Sequence, residues 1–282
     1  MAACAAGAVL WAGNRLTEPA RAGTGLPDPA LGARSLRFPS ASGAALSAWF
    51  IPGSANAGAV LLLHGVRSNK RAMLPRARFL RALGFSLLLV DLQAHGESGG
   101  EQISFGHREA ADVSAAVRKL RELAPGERIG VLGTSLGAAA IAFSDVHPLL
   151  SAAVLESLYP SIEEAVANRL RIRFGPAGPW LAPLLLVQLN PRLGVSAEQL
   201  RPVDRVGLLG CPMLLVHGSE DRHTTIEEAE RIFDRIRAPK ELHVVQGAGH
   251  SDLHAQGGKG YERRVGEFLV RHLRSASQNA PQ

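Results

Sequence analysis

A serine with glycines two residues before and two after it, Gly133-Thr-Ser135-Leu-Gly137, carries the most chemical content in this chain. A serine hydroxyl becomes a useful nucleophile when it stands on a sharp turn with a base in hydrogen-bond reach. The pattern supplies the turn. Glycines on both sides let a strand and the following helix approach without side-chain collision, and the helix N-terminus offers free N–H groups where a tetrahedral intermediate develops negative charge. The flanks have the right character: Ile129 to Leu132 reads as a buried strand, and Ala138-Ala-Ala140 starts a helix of small side chains.

Such a serine needs a base and an acid from elsewhere. His250 sits in Gly247-Ala-Gly249-His250-Ser-Asp-Leu-His254, where glycines permit a loop that aims an imidazole at Ser135. His254 is the second choice. Asp221 ends Val216-His-Gly-Ser-Glu-Asp221, and a carboxylate just past a strand can hold the imidazole in one tautomer. Glu220 is the local alternative and Glu156, ending an earlier strand, the distant one. His64-Gly65-Val66-Arg67 follows the first long apolar run, so the N–H groups of Val66 and Leu136 are the expected oxyanion donors, with His64 structural. Asp91 and His95 also follow a strand but precede the serine. The order serine, acid, histidine makes their loop structural. No histidine or cysteine spacing resembles a metal site, and no glycine-rich phosphate loop follows a strand, so neither metal nor cofactor is expected.

Around these motifs apolar runs alternate with helical patterns. Ser35 to Phe38 and Ala45 to Ile51 read as an antiparallel pair about a Ser42-Gly43 turn. Continuous apolar runs at Ala59 to Leu63, Ser86 to Val90, Ile129 to Leu132, Ala152 to Leu155, Met213 to Val216 and Leu242 to Val245 read as buried strands. Helices are predicted about Arg71 to Leu83, His107 to Leu123, after Leu136, after Thr225, and Tyr261 to Leu273 with Tyr261, Val265 and Phe268 on one stripe. This alternation implies an α/β class, a mostly parallel sheet covered by helices on both faces. Ser157 to Pro202 is too long for a simple crossover and reads as an inserted lid of two or three helices.

The 282 residues are 46% hydrophobic and 20% charged, enough for one large packed domain. A net charge of +6, without a basic block and with 5% aromatics, argues against nucleic-acid binding. Cys4 and Cys211 make no disulfide framework and set no compartment. Residues 1–33 read as an apolar segment, Met1 to Gly13, and a Pro- and Gly-rich linker, Glu18 to Pro29; residues 34–274 form the main domain with its lid at about 157–202; residues 275–282 form a tail. The apolar segment reads as a frayed tail or as the remnant of a longer anchor or export segment, leaving a cytoplasmic or a membrane-associated protein, with membrane association through the N-terminus.

Together, His64-Gly65, Gly-Thr-Ser-Leu-Gly, His-Gly-Ser-Glu-Asp221 and Gly-Ala-Gly-His250-Ser-Asp resemble the α/β-hydrolase superfamily, nearest its serine-aminopeptidase-like and lysophospholipase-like branch of abhydrolase-domain proteins. The resemblance spans about Leu36 to Leu273. It departs at Ala138, often glycine, and at Gln93-Ala94, often Arg-Gly. It implies an eight-stranded sheet and a cofactor-free serine hydrolase with Ser135 as nucleophile, Asp221 as acid and His250 as base. The expected reaction is cleavage of a small-molecule carboxylic ester through an acyl-enzyme, as in esterases and lipases. The apolar lid, with Trp180, Leu181, Leu184 and Leu185, favours an apolar acyl portion, Trp180 and Leu184 being the expected substrate contacts. The alternatives are a peptidase or amidase and a non-catalytic binding module.

Overall fold

A computed structural model describes residues 2–250 and 252–274, so the tail at 275–282 lies outside the described residues. Eight strands form one sheet: β1 (Arg34–Pro39), β2 (Ala45–Ile51), β3 (Ala59–Leu63), β4 (Ser86–Val90), β5 (Ile129–Thr134), β6 (Ala152–Glu156), β7 (Met213–Gly218) and β8 (Lys240–Val245). Their order is β8-β7-β6-β5-β3-β4-β2-β1. Only β2 runs against the rest, pairing antiparallel with both β1 and β4. Every other pairing is parallel. The β1–β2 turn passes through Gly43 at φ 87°. All residues of β3, β4 and β6 are buried, as a strand covered on both faces requires. At the far edge β8 departs from the expected buried strand: only Val245 is fully buried.

Nine helices are described: α1 (Ala2–Thr17), α2 (Leu74–Ala82), α3 (Glu109–Leu123), α4 (Leu136–Phe143), α5 (Ile162–Phe174), α6 (Ala182–Leu186), α7 (Leu189–Leu193), α8 (Ile226–Arg235) and α9 (Leu253–Leu273). One sheet face is covered by α3, α4 and α8 through Val113, Val117, Ile141 and Ile232. The other is covered by α2 and α9 through Leu80, Tyr261, Val265 and Phe268. Truncating such a fully buried leucine to alanine costs roughly 2–5 kcal/mol, so these two layers hold the sheet rigid beneath the site. Two helix starts differ from the periodicity. A 3-10 turn, Lys70–Met73, capped by Asn69, delays α2. The Asp252 carboxylate, accepting from His254 and Ala255 N–H, starts α9 eight residues before Tyr261, and Gly258 at φ 48° interrupts it.

Between β6 and β7 the chain makes a helical excursion: α5, a 3-10 segment Gly175–Leu181, then α6 and α7. Ser161 caps α5 by accepting the Glu164 N–H at 3.2 Å. Ile162, Leu189, Leu193, Val195 and Leu200 form the excursion's own small core.

From Val9 onward the N-terminal region makes contacts with the rest of the chain. α1 lies on the excursion, with Gln188 Nε2 donating to Val9 O at 3.1 Å and Arg192 Nη2 to Leu10 O at 3.0 Å. Beyond it, Ala20 and Arg21 pair in parallel with His95 and Gly96. Thr24 is buried, its hydroxyl accepting from Lys70 Nζ at 2.6 Å. The buried Lys70 ammonium also binds Asp91 at 2.6 Å and Ser47 at 3.0 Å and stands over Trp49. A buried ammonium left short of partners costs several kcal/mol, which is why a Pro- and Gly-rich stretch is drawn down onto it. No helix among the described residues is long and apolar enough to cross a membrane.

Candidate active site

Ser135 lies between the last residue of β5 and the first of α4, at φ 50° and ψ −105°. That conformation is strained for a side-chain-bearing residue and costs on the order of 1–3 kcal/mol. It persists because the surroundings fix it. Ser135 N–H donates to Glu156 O at 2.8 Å, and Ser135 O accepts from Ala139 N–H at 2.9 Å. A Cβ on Gly133 would stand 2.6 Å from the Gly137 carbonyl carbon, and one on Gly137 would stand 2.7 Å from Leu63 O. Both contacts are too short for any side chain, so the two glycines admit the crossing of β5, α4 and the end of β3.

His250, on the loop between β8 and α9, brings Nε2 to 3.2 Å from Ser135 Oγ. Its Nδ1 lies 2.8 Å from Asp221 Oδ2. The carboxylate accepts the Nδ1 proton, which leaves Nε2 free to accept from the serine hydroxyl. Asp221 Oδ1 is held by the N–H groups of His223 at 2.8 Å and Thr224 at 3.0 Å. Burial alone would raise the Asp221 pKa, but His250, the Thr224 N–H and His217 outweigh it, and the carboxyl is held below its ordinary value. His217 is buried with Nε2 at 2.9 Å from Thr224 O, and burial lowers its pKa. His223 packs edge-on against His250 at 5.0 Å.

The alternatives are placed elsewhere. Glu220 is exposed. The Glu156 carboxylate is buried and turned to Arg76, at 3.0 and 2.7 Å, to Thr134 Oγ1 at 2.8 Å and to the Tyr261 hydroxyl. His254 binds Glu262 at 3.1 Å and stacks on Phe79. His64 is buried, accepts Leu92 N–H at 3.1 Å through Nε2, and burial pushes its pKa down to about 3. Asp91 is taken up by Lys70 and the Glu97 N–H.

Leu136 begins α4, so its N–H has no acceptor within the helix. Val66 borders the same space as Ser135, on the loop that the start of α4 packs against. Ser135 opens onto two cavities. One, of about 240 Å³, is edged by Ser68, Thr134, Arg76, Asp252 and His250. The other, of about 220 Å³, is walled by Leu16, Phe105, Tyr159, Ile162 and Val166, with Arg67 and Arg169 at its border. Three of its lining residues have left-handed backbones: Arg67 at φ 57°, Phe105 at φ 54° and Ser135. Strain of this kind gathers where a structure must hold a shape against local preference.

Trp180 and Leu184, the expected substrate contacts, stand outside both cavities. They are 82% and 47% exposed. The 3-10 segment carrying Trp180 packs back on α5, where Gly178 meets Leu170 O so closely that no side chain would fit, and its apolar side chains are left outward. The wall is instead the Ile162, Ala165, Val166, Arg169 face of α5, an i, i+3, i+4, i+7 pattern that could have been read from sequence. Phe105 and Leu16 had no such signal.

One donor atom each from Asp221, His223 and His250 come within 4.8 Å of one another. Asp221 and His250 already share a hydrogen bond, so a cation there would compete with it.

Comparison with known proteins bears on the family and the fold. The chain is 27% identical over 237 residues to the uncharacterized protein YqkD of Bacillus subtilis (strain 168), covering 82% of this chain and 77% of that one. It is 26% identical over 258 residues to the uncharacterized protein YfhR of Escherichia coli (strain K12), covering 88% and 84%. The Pyrococcus furiosus esterase PF2001 superposes with a TM-score of 0.77 at 25% identity, covering 92% of this chain and 98% of that one. The profile of the alpha/beta hydrolase family matches residues 60–261, which hold the serine turn, the acid loop and the histidine loop, and the chain belongs to that family.

Proposed function

We propose that the protein is a serine hydrolase that cleaves carboxylic esters through a covalent acyl-enzyme. The observation that carries this is the continuous chain of hydrogen bonds from Ser135 Oγ to His250 at 3.2 Å and from His250 to Asp221 at 2.8 Å. Ser135 Oγ attacks the ester carbonyl while His250 Nε2 takes its proton. The oxyanion is stabilised by the N–H groups of Val66 and Leu136, and the imidazolium by Asp221. Collapse expels the alcohol, which takes the proton back from His250. Water, deprotonated by the same imidazole, then releases the acid and restores Ser135.

The two cavities divide the substrate. The more apolar one, walled by Leu16, Phe105, Ile162 and Val166, suits an acyl chain, and the one where Ser68, Thr134 and Arg76 stand beside Val66, Ala72 and Met73 suits the alcohol. The excursion between β6 and β7 acts as a lid through α5 rather than through its exposed apolar residues. Asp252 is the acidic group at the cavity that Arg76 borders, and Arg76 pairs with it at 3.0 Å, so it is not a free anchor for a substrate amine. That favours esters over peptides. Esterase activity in PF2001, whose fold this chain shares, supports the same reading. The test is a pair of substrates, p-nitrophenyl butyrate and butyryl-p-nitroanilide. Rapid ester turnover with a burst of p-nitrophenol, and slow anilide turnover, is expected. Faster anilide turnover would replace the esterase with an amidase.

A further inference from the structure

α1 lies outside the segment matched by the family profile, yet it reaches the neighbourhood of the nucleophile. Leu16, with Phe105, Ile162 and Val166, lines the 220 Å³ apolar cavity beside Ser135. The same four side chains also line a second cavity of about 30 Å³, whose far side is formed by Leu185, Leu186 and Leu189 of the excursion. The four are therefore a partition between the serine's cavity and the seam where α1 meets the excursion.

Phe105 and α5 are built into the fold: the Tyr159 hydroxyl donates to Phe105 O at 2.7 Å, and Ile162 belongs to the excursion's core. Leu16 is 39% exposed and contributes its side chain from the N-terminal helix, which packs on the excursion. The backbone on either side of it is pinned. Arg67 Nη1 donates to Arg15 O at 2.7 Å, and Ile103 N–H donates to Thr17 O at 2.8 Å. Arg67 itself borders the serine's cavity, so the register of α1 is fixed against the site it walls.

We propose that Leu16 is a specificity-determining residue that ends the acyl cavity and sets the longest acyl chain the site accepts, giving a preference for short acyl esters. This rests on the acyl-ester reading above. Shortening Leu16 joins two cavities with apolar walls, and each further methylene that finds room there gains about fourfold in binding. Enlarging Leu16 closes the serine's cavity sooner.

The test compares wild type, Leu16→Ala and Leu16→Trp as full-length chains, each checked for a cooperative thermal melt. Two readouts are taken: kcat/KM for p-nitrophenyl butyrate, octanoate and dodecanoate, and calorimetric affinity for sodium butyrate, octanoate and decanoate in a Ser135→Ala background. Within each protein only the long-to-short ratio is used, so any general loss cancels. Leu16→Ala is expected to raise the octanoate-to-butyrate ratio about tenfold or more in both readouts, and Leu16→Trp to lower it by a similar factor. Ratios equal to wild type in both variants would overturn the proposal. A ratio that shifts in binding while no ester is hydrolysed would remove the esterase reading and leave the partition. Hydrolysis with unshifted ratios would do the reverse.

Discussion

The backbone oxygen of Glu156 accepts the N–H of Ser135 at 2.8 Å, while the Glu156 carboxylate is held by Arg76 at 3.0 and 2.7 Å and the His250 imidazole is held by Asp221. The residue thus shapes the serine turn through its main chain and anchors α2 to the sheet through its carboxylate. Asp221 does neither. The two acids should therefore fail differently. Glu156→Gln breaks a buried ion pair and should cost about 3 kcal/mol of stability. Asp221→Asn should lower kcat about ten-thousandfold by removing the acceptor that fixes the His250 tautomer, with the smaller shift in melting temperature. Thermal melts and p-nitrophenyl butyrate kinetics on both variants check this. The reverse ranking would transfer the acid role to Glu156.

Stability should also carry a pH signature from Asp112. Burial pushes its carboxyl from 3.8 up to about 6, against the hydrogen bonds it accepts from Ser42 Oγ at 2.6 Å and Gln93 N–H at 2.8 Å. A folded pKa above the unfolded one means a contribution that is full below about pH 3.8 and lost as pH rises through about 6. The unfolding free energy of wild type minus that of Asp112→Asn should fall by roughly 2 kcal/mol between pH 4 and pH 7. Urea titrations at several pH values measure it. A flat difference would mean that Asp112 ionises as it does in water.

Trp180 and Val166 belong to the same excursion and should behave oppositely. Trp180 is 82% exposed, whereas Val166 walls the apolar cavity. Trp180→Ala should change kcat/KM for an octanoate ester by no more than about twofold, as for a surface change within ±0.5 kcal/mol. Val166→Trp should cut the octanoate-to-acetate ratio about tenfold or more by filling the acyl space. If Trp180→Ala moved the ratio as much as Val166→Trp, the excursion would have to fold down over the site in solution.

The sheet was legible because its strands are buried on both faces: Ala59–Leu63 and Ser86–Val90 contain almost nothing but apolar residues. β8 was harder, since an edge strand needs only one inward residue, and Lys240 and Glu241 hide its start. Ser135, Asp221 and His250 can be singled out from sequence because each follows the end of a strand beside glycines: Gly133, Gly137 and Gly218 have no room for a side chain, and Gly247 takes a φ of 72°. The walls of the cavities cannot. Leu16 and Phe105 acquire their place from packing between segments far apart in the chain, and an apolar run such as that at Trp180 says that a segment is sticky without saying which way it faces. The packing of Glu18 to Pro29 depends on Lys70, whose need for buried partners no local pattern announces.

Covalent labelling of Ser135 tests the central claim most directly. A fluorophosphonate phosphonylates an activated serine with loss of fluoride and ignores an ordinary one, because only a hydroxyl hydrogen-bonded to a general base attacks phosphorus at a useful rate. Intact mass spectrometry with peptide mapping should show a single adduct on Ser135 in the wild-type chain. Ser135→Ala should give no adduct, and His250→Ala should label more slowly by about a thousandfold or more. An adduct on another serine, or no adduct on a folded wild-type protein, would contradict the account.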